Sequence, residues 1–530
     1  MLLMLGVSAR AQENDMPHLS KQGTAVQLVV QGKPFLILGG ELGNSTASSL
    51  EYLQPDWEKF KGLHLNTILA PVYWELIEPQ EGTFDFSLVD GLIRDARTHD
   101  IRLVLLWFGS WKNSMSCYVP PWVKQDFQRF PRARDKGGRS MEMLTSFNRN
   151  NLEADKKAFV SLMRHLRAFD EREQTVIMVQ VENEIGMIPD ARDYLPEATK
   201  SFKSAVPSEL LKYLAAHKAS LQPELKTAGQ EEGFKTSGTW EEVFGKGLQT
   251  DEIFTAWHYA RYTEEITAAG KKEYNLPMYV NAALIRAGYR PGQYPSGGPL
   301  PHLMDIWKAG APSIDFLAPD IYHGSFVEWT GKFRRADNPL FVPEAGLTHR
   351  SAADAFYTIG AFDAIGFSPF SIESSNPADH RLARSYDVLS QLTPVILGNQ
   401  GKGVIAGFSA DRDQPVTKVK FGEYEMTVSF ELLDRYAVQP EETDPRGGGI
   451  IIQLGKDDFI IAGSGLIVTF RSLNTDRPFA GILSIDEGRY DNGVWTPGRR
   501  LNGDQSHQGR HVRLPYRNFG IQHVILYQYH

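Results

Sequence analysis

The sequence predicts an α/β chain: a (β/α)8 TIM barrel over residues 22–400, then a smaller all-β, sandwich-like domain over 401–530. Three observations predict it. Short apolar, β-branched runs alternate with helical segments through the first 400 residues, as in a parallel sheet with crossover helices. Two of those runs stop abruptly at acids. V-I-M-V-Q-V-E-N-E-I-G, from Val176, ends in Glu182, Asn183 and Glu184, and N-P-L-F-V-P-E-A-G, from Asn338, ends in Glu344. Beyond Gly398-Asn399-Gln400-Gly401 the texture changes to short strands parted by turn residues, which is how a sandwich reads.

In chain order, the expected barrel strands are Leu36–Leu38 (ending at Gly39-Gly40-Glu41), Leu65–Ala70, Ile101–Trp107, the run from Val176, Met278–Asn281, Ile314–Pro319, the run carrying Glu344, and Ile365–Ile372. Helical spacing is clear for Leu88, Val89, Leu92, Ile93 and Ala96, for Phe159 to Phe169, for Asp251 to Ala269, and for Tyr386, Leu389 and Leu392. The segment 108–146 and the Pro/Gly-rich segment 288–301 read as loops. In the second domain, strands are expected over 416–433, 449–454, 459–462, 465–470 and 519–529.

Composition bounds the function. The chain has 530 residues, 42% of them apolar and 23% charged, ordinary for a well-cored protein. A net charge of −8 argues against nucleic acid and anionic membranes, which call for basic patches. No stretch reaches the roughly 18 apolar residues of a membrane span. Cys117 is the only cysteine, so a disulfide within the chain and a cysteine-rich metal site are both excluded, and a buried free thiol is expected. Residues 1–12, M-L-L-M-L-G-V-S-A-R-A-Q, read as the remnant of a secretory signal, with Ala9-Arg10-Ala11 as the cleavage pattern. A periplasmic or secreted protein is the expectation. The sequence does not speak to oligomeric state.

A parallel barrel carries its chemistry at the C-terminal ends of its strands. Two carboxylates at two such ends are what glycoside hydrolysis needs, one as acid and one as nucleophile or base. The bland alternative is a helix-capping or ion-paired carboxylate.

The motifs G-K-P-F…G-G-E (32–41), E-P-Q-E-G-T-F-D-F (78–86) and Q-V-E-N-E-I-G (180–186) resemble those of glycoside hydrolase family 35, the β-galactosidases. The resemblance implies a retaining exo-β-galactosidase acting on terminal β-D-galactosyl units of oligosaccharides or polysaccharide side chains. In it Glu184 is the general acid, then base, and Glu344 the nucleophile. Asn183 would bind the sugar 2-hydroxyl, and the Tyr322 hydroxyl would orient the nucleophile, a packed core tyrosine being nearly as good a reading. Trp74, Trp107 and Trp111 suit a sugar-stacking platform or the core equally. The chain departs from the family pattern after strand two, where Glu75 replaces an asparagine. It departs again after strand three, where F-G-S-W-K-N (108–113) lacks the Ala-Glu pair that reads galactose hydroxyls. Glu75, Lys112 or Asn113 would have to substitute. Glu41, also at a strand end, has a weaker claim.

No cofactor is expected, and no metal motif such as H-E-x-x-H is present. The alternatives are another retaining β-glycosidase of the same clan, or a non-catalytic carbohydrate-binding barrel. Binding alone would not require both acids.

Overall fold

Eight parallel strands close on themselves: β1 (Ile37–Glu41), β2 (Thr67–Tyr73), β3 (Arg102–Lys112), β4 (Val176–Asn183), β5 (Met278–Ala283), β6 (Phe316–Ile321), β7 (Phe341–Val342 and Glu344–Ala345) and β8 (Gly366–Phe367). They are seen in a computed structural model describing residues 16–410 other than 232 and 379, together with 416–430 and 446–530. The signal-like residues 1–12 lie outside the described residues.

Strand β7 is interrupted at Pro343, which has no N–H to give to a ladder. Its first half, Phe341–Val342, pairs with β8, and its second half, Glu344–Ala345, pairs with β6. This split strand closes the barrel. Every residue of β2, β4 and β6 is buried, as expected of parallel strands covered on both faces.

Helices follow each strand: α1 (Trp57–Gly62), α2 (Ser87–Thr98), α3 (Arg149–Asp170), α4 (Leu248–Glu273), α5 (Met304–Gly310), α6 (Phe326–Phe333), α7 (Ser351–Phe362) and α8 (Arg381–Asn399). On α2 the residues at helical spacing, Val89, Leu92, Ile93 and Ala96, form the buried face. The Asn148 side chain caps α3 by accepting from the backbone N–H groups of Asn150 and Asn151. A three-stranded sheet, His18–Gln22, Ala25–Val30 and Lys33–Phe35, precedes β1. Gln22 and Gln27 donate to the Leu397 carbonyl at 3.1 and 2.8 Å. This ties the sheet to the last turn of α8, at the end of the barrel opposite the chemistry.

Three expectations need correction. Strand β3 runs on to Lys112, past the expected end at Trp107. The segment after it holds a short helix, Pro121–Gln125, and a hairpin of Arg132–Arg134 with Ser140–Leu144. Ile372, expected as the last residue of strand eight, instead opens a helical turn, Ile372–Ser374. Cys117, expected to be buried, is exposed, because it sits beyond the turn that ends β3.

The C-terminal region is antiparallel. One sheet has six strands, β9 (Ile405–Ala410), β12 (Gly447–Gly455), β13 (Asp458–Ser464), β18 (Gly520–Tyr529), β15 (Phe479–Asp491) and β16 (Val494–Arg500), in that order. The other has four, β10 (Val416–Phe421), β11 (Tyr424–Ser429), β14 (Leu466–Ser472) and β17 (Val512–Leu514). The stretch expected as one strand over 416–433 is thus a hairpin as far as Ser429, and residues 431–433 lie outside the described residues.

Strand alternation divides the six-stranded sheet between two cores. Ile451, Phe459, Ile461 and Val524 face the smaller sheet, while Ile450, Ile452, Ile460 and Ile521 join the barrel core. Each such side chain contributes roughly 1.5–3 kcal/mol on burial. At this seam the backbones nearly touch. A Cβ on Gly360 of α7 would lie 2.6 Å from the Gly407 Cα, and one on Gly448 would lie 2.4 Å from the Ala353 Cα.

Candidate active site

Strand β4 ends in a distorted segment. Glu182 and Glu184 have φ of 63° and 46°, unusual for residues other than Gly and Asn and worth about 1–3 kcal/mol of strain each. The distortion sends the two side chains to different surroundings. Glu184, 6% exposed, turns toward the barrel mouth. Its backbone N–H donates to the Asn281 side chain at 2.9 Å, and Asn281 in turn donates to Asp320 at 2.6 Å. Both partners come from neighbouring strand ends, Asn281 on β5 and Asp320 on β6.

Glu344, from the second half of β7, faces Glu184 across the mouth. Carboxylate oxygens of Glu184, Asp320 and Glu344 lie within 4.8 Å of one another. The Tyr322 hydroxyl donates to Glu344 Oε1, leaving the ring 48% exposed at the mouth. The Asn113 amide donates to Glu184 Oε2. It reaches there from a tight hairpin, Lys112 to Met115, whose central residues Asn113 and Ser114 both have positive φ (48° and 64°), as two-residue hairpins require. Lys112, at the base of this hairpin, is almost fully buried, with its ammonium 5.2 Å from the Phe108 ring centroid. Glu41, the last residue of β1, completes the cluster. It is fully buried and neither of its oxygens has a hydrogen-bond partner among the described residues.

Crowding of acids in a buried site raises their proton affinity. Burial, then the charge of Glu344, pushes Glu184 up to about 7, against the opposing pull of Lys112 and of a hydrogen bond from Asp320. Burial first, then Glu344, holds Glu41 well above the usual carboxylate range. Asp320 is held there by burial, then by Glu344 and Glu184. Several polar atoms here have no hydrogen-bond partner among the described residues: both amide atoms of Asn183, Glu344 Oε2 and Asp320 Oδ1. Unpaired buried groups are costly and mark where a polar ligand would be recognised. Three converging carboxylates also have the composition of a hard-cation site, a grouping that no sequence motif announces.

The remaining candidates sit elsewhere. Trp74, Trp107 and Trp111 are fully buried, and their indole N–H groups donate to Glu78 (2.8 Å), Asp155 (2.9 Å) and the Leu144 carbonyl (3.2 Å). No ring face is left for a sugar, so these three are core residues and not a stacking platform. Glu75 is half-buried and pairs with Lys124 at 3.5 Å. Sequence reasoning gave no role to Asp320 or Asn281. Both are polar residues ending apolar strands, the same signal that singled out Glu184 and Glu344.

Two loops frame the mouth. Met187, just past β4, exchanges backbone hydrogen bonds with Ser296 at 2.7 and 2.9 Å. Glycine is required at 186 and 298, since a Cβ there would meet Pro295 or the Ile185 carbonyl at 2.4 Å. The 288–301 segment is thereby fixed against the strand end that carries Glu184.

The fold and site define a parallel barrel with paired acids at the ends of its fourth and seventh strands. Comparison with known proteins places the likeness within the β-galactosidases. Residues 46–221 match the glycoside hydrolase 42 family model, described as Beta-galactosidase, and residues 382–513 match a domain of unknown function, DUF5597. The first match spans Glu184 but not Glu344, and it belongs to family 42 where the motifs resembled family 35. Among curated proteins, the chain is 27% identical over 197 residues to a Beta-galactosidase of Xanthomonas manihotis, covering 36% of this chain and 30% of that protein. It is 30% identical over 204 residues to the human Beta-galactosidase-1-like protein 3, covering 37% of this chain and 27% of that one. Solved β-galactosidases from Bacillus circulans sp. alkalophilus and Rahnella sp. R3 superpose with TM-scores of 0.48 and 0.47, at 14% and 15% identity. Each superposition covers 68% of this chain and 57% of the other.

Proposed function

We propose that this chain is a retaining exo-β-galactosidase in which Glu344 attacks the anomeric carbon while Glu184 protonates the departing oxygen. Water, deprotonated by Glu184, then releases the sugar from Glu344. The observation that carries this reading is the approach of Glu184 and Glu344 to within 4.8 Å. Retaining enzymes hold their carboxyls about 5–5.5 Å apart, whereas inverting ones need roughly 6.5–9.5 Å to admit a water between them. A neutral Glu184, favoured by its affinity of about 7, suits an acid that must hold its proton near neutrality. Tyr322 fixes the nucleophile, and the unpaired amide of Asn183 is placed to accept or donate to the sugar 2-hydroxyl. Of the residues that would have to substitute for the family's absent acid, Asn113 is supported by its hydrogen bond to Glu184 and Lys112 by its place beside it, whereas Glu75 is paired with Lys124. The substrates are terminal β-D-galactosyl units of oligosaccharides or polysaccharide side chains, met in the periplasm or beyond if residues 1–12 act as a secretory signal.

The test is the ratio of kcat/KM for an aryl β-galactoside over the β-glucoside and the α-arabinoside, with proton NMR of the first-formed anomer. Galactoside preference with retained configuration is expected. A glucoside preference or an inverted product would refute the assignment.

A further inference from the structure

A cavity of about 690 Å3 lies between α8 and the C-terminal sheets, apart from the carboxylate cluster. Arg384 and Asp387 line it from the first two turns of α8. A barrel helix begins where the preceding strand ends, so these turns lie at the same end of the molecule as Glu184 and Glu344. Arg517, Asp504 and Gln522 line it from the C-terminal region.

Glu487 and Arg499 of the lining pair with each other at 3.1 Å, but the charges that face them across the cavity from α8 and from residues 504 and 517 are not in ion pairs among the described residues. Among the described residues, Arg384 donates only to the Arg517 carbonyl, at 3.2 Å, and neither guanidinium has a carboxylate within ion-pairing distance. Among the described residues, the carboxylates of Asp387 and Asp504 accept only from the Gln391 and Gln508 side chains and have no cationic partner. Gln522 is 4% exposed. Its amide nitrogen donates to the Arg513 carbonyl at 2.9 Å, while its buried Oε1 has no partner among the described residues.

The lining thus offers unused donors (two guanidiniums) and unused acceptors (two carboxylates and an amide oxygen) across one space. A simple anion would satisfy the arginines and be repelled by the aspartates, and a cation would meet the reverse. Hydroxyl groups both donate and accept, so a ligand dense in hydroxyls satisfies both sets. The volume falls in the ordinary range for small-molecule sites, about 300–1,000 Å3. We propose that this cavity is a second, non-catalytic binding site for a neutral saccharide, held through its hydroxyls by Arg384, Asp387, Asp504, Arg517 and Gln522. It would let the C-terminal region hold glycan beside the barrel independently of turnover.

The experiment is calorimetric titration of the full-length chain with a thio-linked β-galactotriose, which keeps the hydroxyls and resists hydrolysis. It is run beside inorganic phosphate and beside an Asp387→Ala/Arg517→Ala variant. The expected result is two equivalents of saccharide bound by the native chain. In the variant the second equivalent should weaken by about tenfold or more, the worth of a single good hydrogen bond, with aryl β-galactoside turnover unchanged. Hydrogen exchange on the native chain should show saccharide-dependent protection over residues 499–522, a readout that does not depend on the variant folding. A single equivalent without protection there, or binding of phosphate but not of saccharide, would overturn the site. The catalytic reading fails separately. Protection at 499–522 in a chain that turns over no aryl glycoside leaves this site standing and removes that function, and the reverse result does the opposite.

Discussion

Glu182 and Glu184 lie two residues apart on one strand end, both buried and both in left-handed backbone, yet their surroundings are opposites. The Glu182 carboxyl accepts from the backbone N–H groups of Ser110 (3.2 Å) and Trp111 (2.7 Å). It lies against Asp155, which itself accepts from Ser110 and from the Trp107 indole. The pair is closed: burial raises both proton affinities, Glu182 further through the Asp155 charge, while protein donors use the oxygens. Glu184 sits in the open counterpart, among acids and an asparagine that keep polar atoms without a partner among the described residues: both oxygens of Glu41, one each of Glu344 and Asp320, and both amide atoms of Asn183. Burial and a raised affinity are common to both, so neither identifies a working acid. What separates the two surroundings is unmet hydrogen-bonding capacity at the mouth, found around Glu184 and not around Glu182.

The largest effect should come from Glu344→Ala. As the proposed nucleophile, its loss should lower kcat by roughly four orders of magnitude or more on natural and activated substrates alike. Glu184→Ala should cost about 10²–10⁴-fold on natural galactosides, while the glycosylation step of an aryl glycoside with a good leaving group is largely spared. Pre-steady-state release of the aryl group separates the two. Equal losses on both substrate types for the Glu184 variant would remove the acid assignment and, with it, the contrast with Glu182.

Stability should separate the two glutamates next. Glu184 goes from an ordinary value of 4.5 to about 7 on folding. Between those values the native state binds the extra proton, so stability falls as pH rises and the full cost is present above pH 7. That cost is about 3 kcal/mol. Glu184→Gln cannot ionise, so it should be more stable than the native chain at pH 8 by up to about 3 kcal/mol and no more stable at pH 4. Glu182→Leu should instead lose about 1–3 kcal/mol at pH 8, because it leaves the buried Trp111 N–H unpaired. Denaturant midpoints at the two pH values check both. A destabilised Glu184→Gln would mean that its carboxylate is held by contacts resembling those of Glu182.

How far the sequence shows this contrast depends on what kind of signal each part leaves. The barrel is legible because buried parallel strands are apolar throughout, and the acids at the ends of β4 and β7 interrupt that pattern visibly. Asp320 and Asn281 carry the same mark, so they were within reach. The tryptophans were not, since an indole in a core and one at a sugar platform are the same letter, and only the acceptor for its N–H tells them apart. Asn113 was legible as a polar residue near a strand end. Its reach to Glu184 depends on a positive-φ hairpin that Asn-Ser signals more weakly than Asn-Gly would. Strands β15 and β16 escaped because cross-strand ion pairs, Arg500 with Asp486 (2.5 Å) and Arg499 with Glu487 (3.1 Å), replace the apolar alternation that marks a half-buried strand.

The smallest expected effect is also the most specific to the open cluster. Lys112 is the cation that opposes the raised proton affinity of Glu184, and it opposes that of Glu41 and Asp320 as well. A positive charge favours the ionised form of an acid beside it. Replacing it by methionine, of similar length, keeps the packing against Phe108 and removes the charge. Glu184 should then hold its proton to higher pH. The first chemical step needs that proton, so the alkaline limb of kcat/KM, expected near pH 7 from the Glu184 value, should move to higher pH in Lys112→Met. The measurement is the pH dependence of kcat/KM on a galactoside with a poor leaving group, where protonation matters most. A purely structural role for Lys112 would lower the whole profile without moving its limb. A limb that moved to lower pH would mean that the lysine charge is not what sets the acid, and that the open cluster is tuned from its own carboxyls alone.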